Sequence, residues 1–206
     1  EFMSGKLIVI YGINNLGKTT QAKLLVERIE NNSLLRGPLR KAIYLKYPLY
    51  DLEPTGPMIN AYLRKGNPDG FSPQTFQILN VLNRLHFQPK LQAMLNEETQ
   101  FPLSVVAEDY WGTGLAWGMG AGVDKNFMTR LNGILIKEDI AFLFDGKRFT
   151  DGIEKGHVHE TSDDLTERVR FIHLDLAKEF GWHVIDANRS KEEIHKEIWS
   201  IVEPLI

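Results

Sequence analysis

This 206-residue sequence predicts an α/β domain, a five-stranded parallel sheet with helices on both faces and a short lid. Three observations predict it. Five short apolar runs rich in β-branched residues alternate with longer helical stretches, the pattern of a sheet buried on both sides. Residues 12–19 spell G-x-x-x-x-G-K-T between the first apolar run and the first helix. Polar residues gather just after the runs, at the edge where open parallel sheets bind ligands.

The elements follow in order. The strands are expected at 7–11, 42–46, 104–108, 140–144 and 182–186. The helices are expected at 18–31, 56–65, 73–98, 124–136, 162–179 and 191–202. Ser72 with Pro73 opens the third helix and Ser190 opens the last, since a hydroxyl cap satisfies free N–H groups and proline tolerates the first turn. Gly181 follows residues 178–180 as a C-terminal stop. Trp111 and Trp117 read as flanking a glycine-rich turn, with Trp111 in a packing role. Residues 146–160 are polar, contain glycine and lack clear periodicity, so they read as the lid. One domain spans 3–206, and Glu1-Phe2 ahead of Met3 reads as a cloning remnant.

Composition narrows the class. Hydrophobic residues make up 43% and charged residues 25%, an ordinary globular profile. A net charge of −3 gives no electrostatic basis for binding nucleic acid or an anionic membrane. The absence of cysteine removes disulfides, thiolate nucleophiles and Cys-ligated zinc, and fits a cytoplasmic protein. No apolar run approaches the roughly 20 residues that span a bilayer, and no signal peptide is evident.

The glycine-rich string has a physical reading. Its glycines let successive N–H groups point inward, and the helix that follows adds the positive end of its dipole. The segment from Gly12 through Asn14, Asn15, Leu16 and Gly17 to Lys18, Thr19 and Thr20 is therefore expected to cradle a triphosphate. Lys18 would reach the β- and γ-phosphates, and Thr19 would offer its hydroxyl to Mg²⁺. A nucleoside triphosphate with Mg²⁺ is the expected ligand. Glu108, at the end of the third strand, suits the metal better than a helix cap. Arg84 lies in an apolar stretch beside Leu82 and Leu85, where a charge needs a partner. His86 reads equally as a ligand contact or a packed residue. His157-Val158-His159-Glu160 offers too few ligands for a metal site.

Four further segments fall into a joint pattern. Residues 108–117 occupy the frame D-R-Y-x-x-S-x-x-A-Y; Leu82-Asn83-Arg84 matches A-N-R; Tyr47-Pro48 matches F-P; Ile185-Asp186-Ala187 matches V-D-A. In that order behind G-K-T-T-Q, the sequence resembles the thymidylate kinase family over nearly its whole length. The resemblance implies the P-loop kinase fold and transfer of the ATP γ-phosphoryl to dTMP. It implies donor contacts from Lys18, the amides of residues 15–20 and Ala187, and catalytic roles for Lys18, Glu108 and a lid cation. Members without an arginine in the phosphate loop supply it from the lid, so Arg148 is the expected residue, with Lys147 and Lys155 as alternatives. For dTMP it implies Asn14 at the sugar, Arg84 at the phosphate or base, and Tyr47, Pro48, Asn80, Tyr110, Thr113 and Trp117 around sugar and base. Thr19 and, through water, Glu108 hold the metal. A homodimer joined through the apolar middle helix is also implied.

The sequence departs from that family on the acceptor side. Asp109 stands where the family has arginine, and Leu49-Tyr50 follow Pro48 where a second arginine is usual. Asn80 or a neighbour replaces a stacking aromatic. Lys46, Arg64 and Arg130 are the cations available to replace the lost charge. A deoxynucleoside kinase, with Asp109 as base, and a nucleotide-binding regulatory protein are the competing readings.

Overall fold

The computed structural model describes residues 5–36, 40–96, 103–149 and 163–206. Its strands are β1 (Leu7–Tyr11), β2 (Lys41–Lys46), β3 (Leu103–Glu108), β4 (Ile140–Asp145) and β5 (His183–Asp186). They form one all-parallel sheet in the order β2-β3-β1-β4-β5. The helices are α1 (Lys18–Arg36), α2 (Thr55–Arg64), α3 (Pro73–Leu95), α4 (Trp111–Gly120), α5 (Lys125–Asn132), α6 (Asp163–Phe180) and α7 (Lys191–Val202). All five residues of β1 are buried, as a central strand needs when helices cover both faces. α1 packs on β1, β2 and β3 with α7 beside it, while α3 packs on β3 and α6 on β4 and β5. No helix among the described residues is long and apolar enough to cross a membrane.

The expected caps form. Ser72 accepts from Thr75 N at 3.1 Å, and Ser190 makes a capping box with Glu193. These bonds satisfy first-turn N–H groups that have no partner within the helix. Gly181 takes φ +71° after α6. Three helix ends differ from expectation by three residues or more within the described residues. α1 runs on to Arg36, α3 stops at Leu95 rather than 98, and α5 stops at Asn132 rather than 136. There Asn132 turns its amide onto Met128 O at 2.9 Å, and Gly133 N bonds Arg130 O in a tightened last turn.

The larger correction is α4. The segment 111–120, expected as a glycine-rich turn, is a helix. Its glycines are needed for proximity: a Cβ on Gly112 would lie 2.5 Å from the Trp182 ring, and one on Gly118 would lie 2.7 Å from Met128 Cε. Wedged between α3 and α6, the helix buries Trp111, Leu115, Ala116 and Trp117. Tertiary burial overrides the poor helix propensity of glycine. Trp111 has the packing role expected of it, edge-on to Tyr11, Phe180 and Trp182. Of the lid, only residues 146–149 are described; residues 150–160, with Lys155, His157, His159 and Glu160, lie outside the described residues.

Candidate active site

The carboxyl ends of β1, β2 and β3 open into a cavity of about 400 Å³. The phosphate loop forms one wall. Gly12 sits at φ +137°, where a Cβ would meet Phe144 O at 2.6 Å, so only glycine fits. Asn15 adopts φ +62°, a left-handed geometry that asparagine tolerates. Lys18 is buried and donates to Gly12 O at 3.0 Å and Ile13 O at 2.8 Å. Those bonds hold the ammonium over the loop. Gln21 donates to Lys191 O at 2.8 Å and ties α1 to the start of α7.

Two consecutive acids end β3. Glu108 accepts from Thr19 Oγ1 at 2.8 Å, Tyr44 Oη at 2.7 Å and Lys46 Nζ at 3.0 Å. Burial alone would raise its pKa, but the Lys18 and Lys46 ammonium groups and these hydrogen bonds outweigh it and hold the carboxyl below its usual range. Asp109 sits at φ +62°, 3.5 Å from Lys18 Nζ, and accepts from Thr113 Oγ1 at 3.3 Å. Its pKa is pushed up by burial, against the attraction of Lys18 and with the repulsion of Glu108. Lys46 sits above its ordinary value: burial pulls it down, and Glu108 with Asp109 more than offsets that. The hydroxyl of Thr19 beside the Glu108 carboxylate is a hard-oxygen donor set. It suits Mg²⁺, which commonly binds one or two protein oxygens together with substrate phosphates. No group of three or more His, Asp or Glu side chains among the described residues could hold a metal by itself.

α3 supplies the opposite wall. Arg84 is buried, and its Nε and Nη1 have no hydrogen-bond partner. Gly114 makes room for it: a Cβ there would stand 3.0 Å from Nη1. Burial pulls the guanidinium pKa down, and Tyr110 and Tyr47 work against that pull. Two enclosed donors without acceptors are costly, and here they line the cavity, where a bound group could accept from them. The neighbouring Asn83 is structural. It donates to Leu49 O and Thr55 Oγ1 and accepts from Leu49 N, pinning the loop after the cis Tyr47–Pro48 bond.

Most residues singled out by sequence meet here. Asn14, Asn15, Leu16, Gly17, Lys18, Thr19 and Thr20 line the cavity from the loop side. Tyr47, Pro48, Asn80, Arg84, Glu108, Thr113 and Trp117 line it from the other elements. Four expected residues are not in the lining. Gly12 lies behind the loop and supplies a carbonyl to Lys18. Tyr110 is buried behind Tyr47, their rings 5.0 Å apart. Ala187 is buried, its N–H donated to Asp145 O at 2.8 Å. Arg148 stands beside the cavity, and Phe149 enters the lining instead, its N–H donated to Asn15 O at 2.8 Å. Asn188 bonds both backbone polar groups of Lys147 and anchors this start of the lid.

Of the substitute cations, Lys46 and Arg64 line the cavity, whereas Arg130 lies on α5 beside a separate hollow with Asp124 and Phe127. His86 is exposed and away from the cavity. Sequence reasoning passed over Phe76, Gln77 and Tyr50. Phe76 lies one turn before Asn80 and stacks on Tyr62 at 3.7 Å. The spacing 76, 80, 84 puts Phe76 on the helix face of Arg84 and could have revealed it.

A family model described as thymidylate kinase matches residues 10–198. Thymidylate kinase of Plasmodium falciparum is 30% identical over 202 residues, covering 94% of this chain and 88% of its own. The probable thymidylate kinase of Methanocaldococcus jannaschii is 27% identical, covering 93% and 92%. Among solved structures, Candida albicans thymidylate kinase superposes with a TM-score of 0.77 at 20% identity, covering 98% of this chain and 92% of that one. The Ehrlichia chaffeensis thymidylate kinase gives 0.69 at 20% identity, with 97% and 99% covered. At that identity the two structures speak for the fold.

Proposed function

The chain belongs to the thymidylate kinase family, and on that premise we propose that the cavity joins ATP to dTMP in the way set out here. Members of the family are ATP-dependent nucleoside monophosphate kinases, and the reaction converts ATP and dTMP to ADP and dTDP. A phosphate oxygen of dTMP attacks the γ-phosphorus. The bond from γ-phosphorus to the β–γ bridging oxygen breaks, and its electron pair leaves with ADP. Such transfer asks little covalent chemistry of the protein; alignment and charge neutralisation dominate.

Lys18 and the loop amides hold the donor phosphates. Thr19 and Glu108 hold Mg²⁺, which supplies charge that offsets the phosphate oxygens. Arg84 donates to the acceptor nucleotide from beneath, between Tyr47 and Trp117, with Asn14 on the sugar. Arg148 closes over the phosphates from the lid. Ala187 acts by fixing the strand edge beside the donor. α3 leaves Ile78 and Leu82 exposed, and that apolar stripe forms the contact of a homodimer.

One observation carries the reading. A single cavity presents the phosphate loop on one side and the unpartnered donors of Arg84 on the other, with Glu108 and Lys46 between them. Mg²⁺-dependent turnover of dTMP set against thymidine tests it.

A further inference from the structure

Four cationic side chains line the cavity among the described residues: Lys18, Lys46, Arg64 and Arg84. Their surroundings divide the work. Lys18 is bound to the loop carbonyls of Gly12 and Ile13 and belongs to the donor phosphates. Arg84 is enclosed beside Gly114, with no Nε or Nη1 partner, deep on the α3 side. Arg64 lies over the Tyr50 ring, 4.7 Å from its centroid, and donates to Asn60 at 2.9 Å on the outer wall.

Lys46 differs. β2 and β3 pair in register so that Lys46 and Glu108 are direct neighbours at the carboxyl ends of their strands. The Lys46 ammonium rests on Glu108 Oε1 at 3.0 Å; its side chain lines the cavity and about half of it is exposed to solvent. The acceptor phosphate must lie in line with the γ-phosphoryl, and so between the loop and α3. Glu108, which ends β3, and Asp109, which follows it, both line the cavity there, and Asp109 supplies a carboxyl group rather than a guanidinium. A phosphate brought to this point needs a cation that can reach it from the sheet edge.

We propose that Lys46 is the acceptor-phosphate ligand of this chain, held ready on Glu108 and shared with the nucleotide phosphate when it binds. This rests on the dTMP reading of the cavity. It assigns recognition of the phosphate, as opposed to sugar or base, to one residue of β2. Glu108 keeps Tyr44 and Thr19 as donors when Lys46 turns away, so the exchange leaves no stranded carboxylate.

Titration calorimetry with dTMP and with thymidine separates a phosphate contact from a structural one. Lys46→Gln keeps a hydrogen bond to Glu108 and removes the charge; Lys46→Arg restores the charge. Lys46→Gln should bind dTMP about thirtyfold more weakly, as expected for a lost charge-assisted bond, with thymidine affinity within about twofold of wild type. Lys46→Arg should recover most of the dTMP affinity. Equal weakening of both ligands, or no weakening of dTMP, would overturn the role of Lys46 while leaving the dTMP reading intact. Wild-type protein that binds thymidine as tightly as dTMP would overturn the dTMP reading itself, and the proposal with it.

Discussion

Glu108 sets the electrostatics of the site because three hydrogen-bond donors converge on one buried carboxylate. Removing all three would leave an uncompensated charge in a low-dielectric place, whereas two remaining donors keep the carboxylate bonded when one turns away. The residues doing this work differ in how visible they are. Lys18, Thr19 and Glu108 could be read from the chain, since the loop fixes two of them and the end of β3 the third. Phe76 could be read only through its helical spacing to Arg84, and Gln77 not at all, because a buried residue facing a cavity has the same pattern as one facing the core. Ala187 and Tyr110 lie buried beside the cavity rather than in its lining, because residues that stand next to a site have the same local pattern as those that line it. His173 carries no signal in the sequence that sets it apart. It is buried on α6, with Nδ1 3.0 Å from Val169 O and Nε2 without a partner. Burial first, and then the Lys18 ammonium, push its pKa down to about 3 from 6.5. Between those values the unfolded chain binds the proton and the folded chain does not. Stability from this group is therefore full above pH 6.5 and is lost as pH falls toward 3. Between pH 7 and 5.5 the loss should be about 1 kcal/mol. Urea denaturation at the two pH values should show that increment in wild type and its absence in His173→Leu. An unchanged pH dependence in the variant would refute the assignment.

At the scale of elements, α4 shows where pattern reading stops. The sequence 111–120 carries glycine at 112, 114, 118 and 120, which by propensity argues against a helix. What decides is the space available: Trp182, Tyr11, Arg84, Met128 and Val169 each stand within about 3 Å of where a Cβ would be. That distance is set by partners far along the chain, so no local window contains it. The inner strands β1, β3 and β4 were legible for the opposite reason, since burial on both faces leaves a run of apolar residues that stands out locally. Gly112→Ala tests the packing account. Propensity alone predicts a gain of about 1 kcal/mol, whereas overpacking into the Trp182 ring predicts a net loss of about 1–2 kcal/mol. A raised midpoint in chemical denaturation would show that packing at this position is looser than described.

For the whole molecule, the sheet order brings the ends of β1, β2 and β3 together, and with them the loop, the two acids and Lys46. α3 closes the other side while turning Ile78 and Leu82 outward. If that stripe forms the homodimer contact, sedimentation equilibrium should give twice the 23.6 kDa chain mass. Ile78→Asp combined with Leu82→Asp should then give the single-chain value. A wild-type monomer at micromolar concentration would remove the dimer. The order of elements and the donor wall were readable because one motif fixes both, whereas the acceptor wall depends on how α2, α3 and α4 meet. The most direct test of the central claim is product formation from ATP with dTMP and with thymidine, resolved by chromatography with and without Mg²⁺. dTDP should form from dTMP only when Mg²⁺ is present, with little product from thymidine, and should be lost in a folded Lys18→Ala variant. Phosphorylation of thymidine without phosphorylation of dTMP, or near-normal dTDP from Lys18→Ala, would contradict that claim.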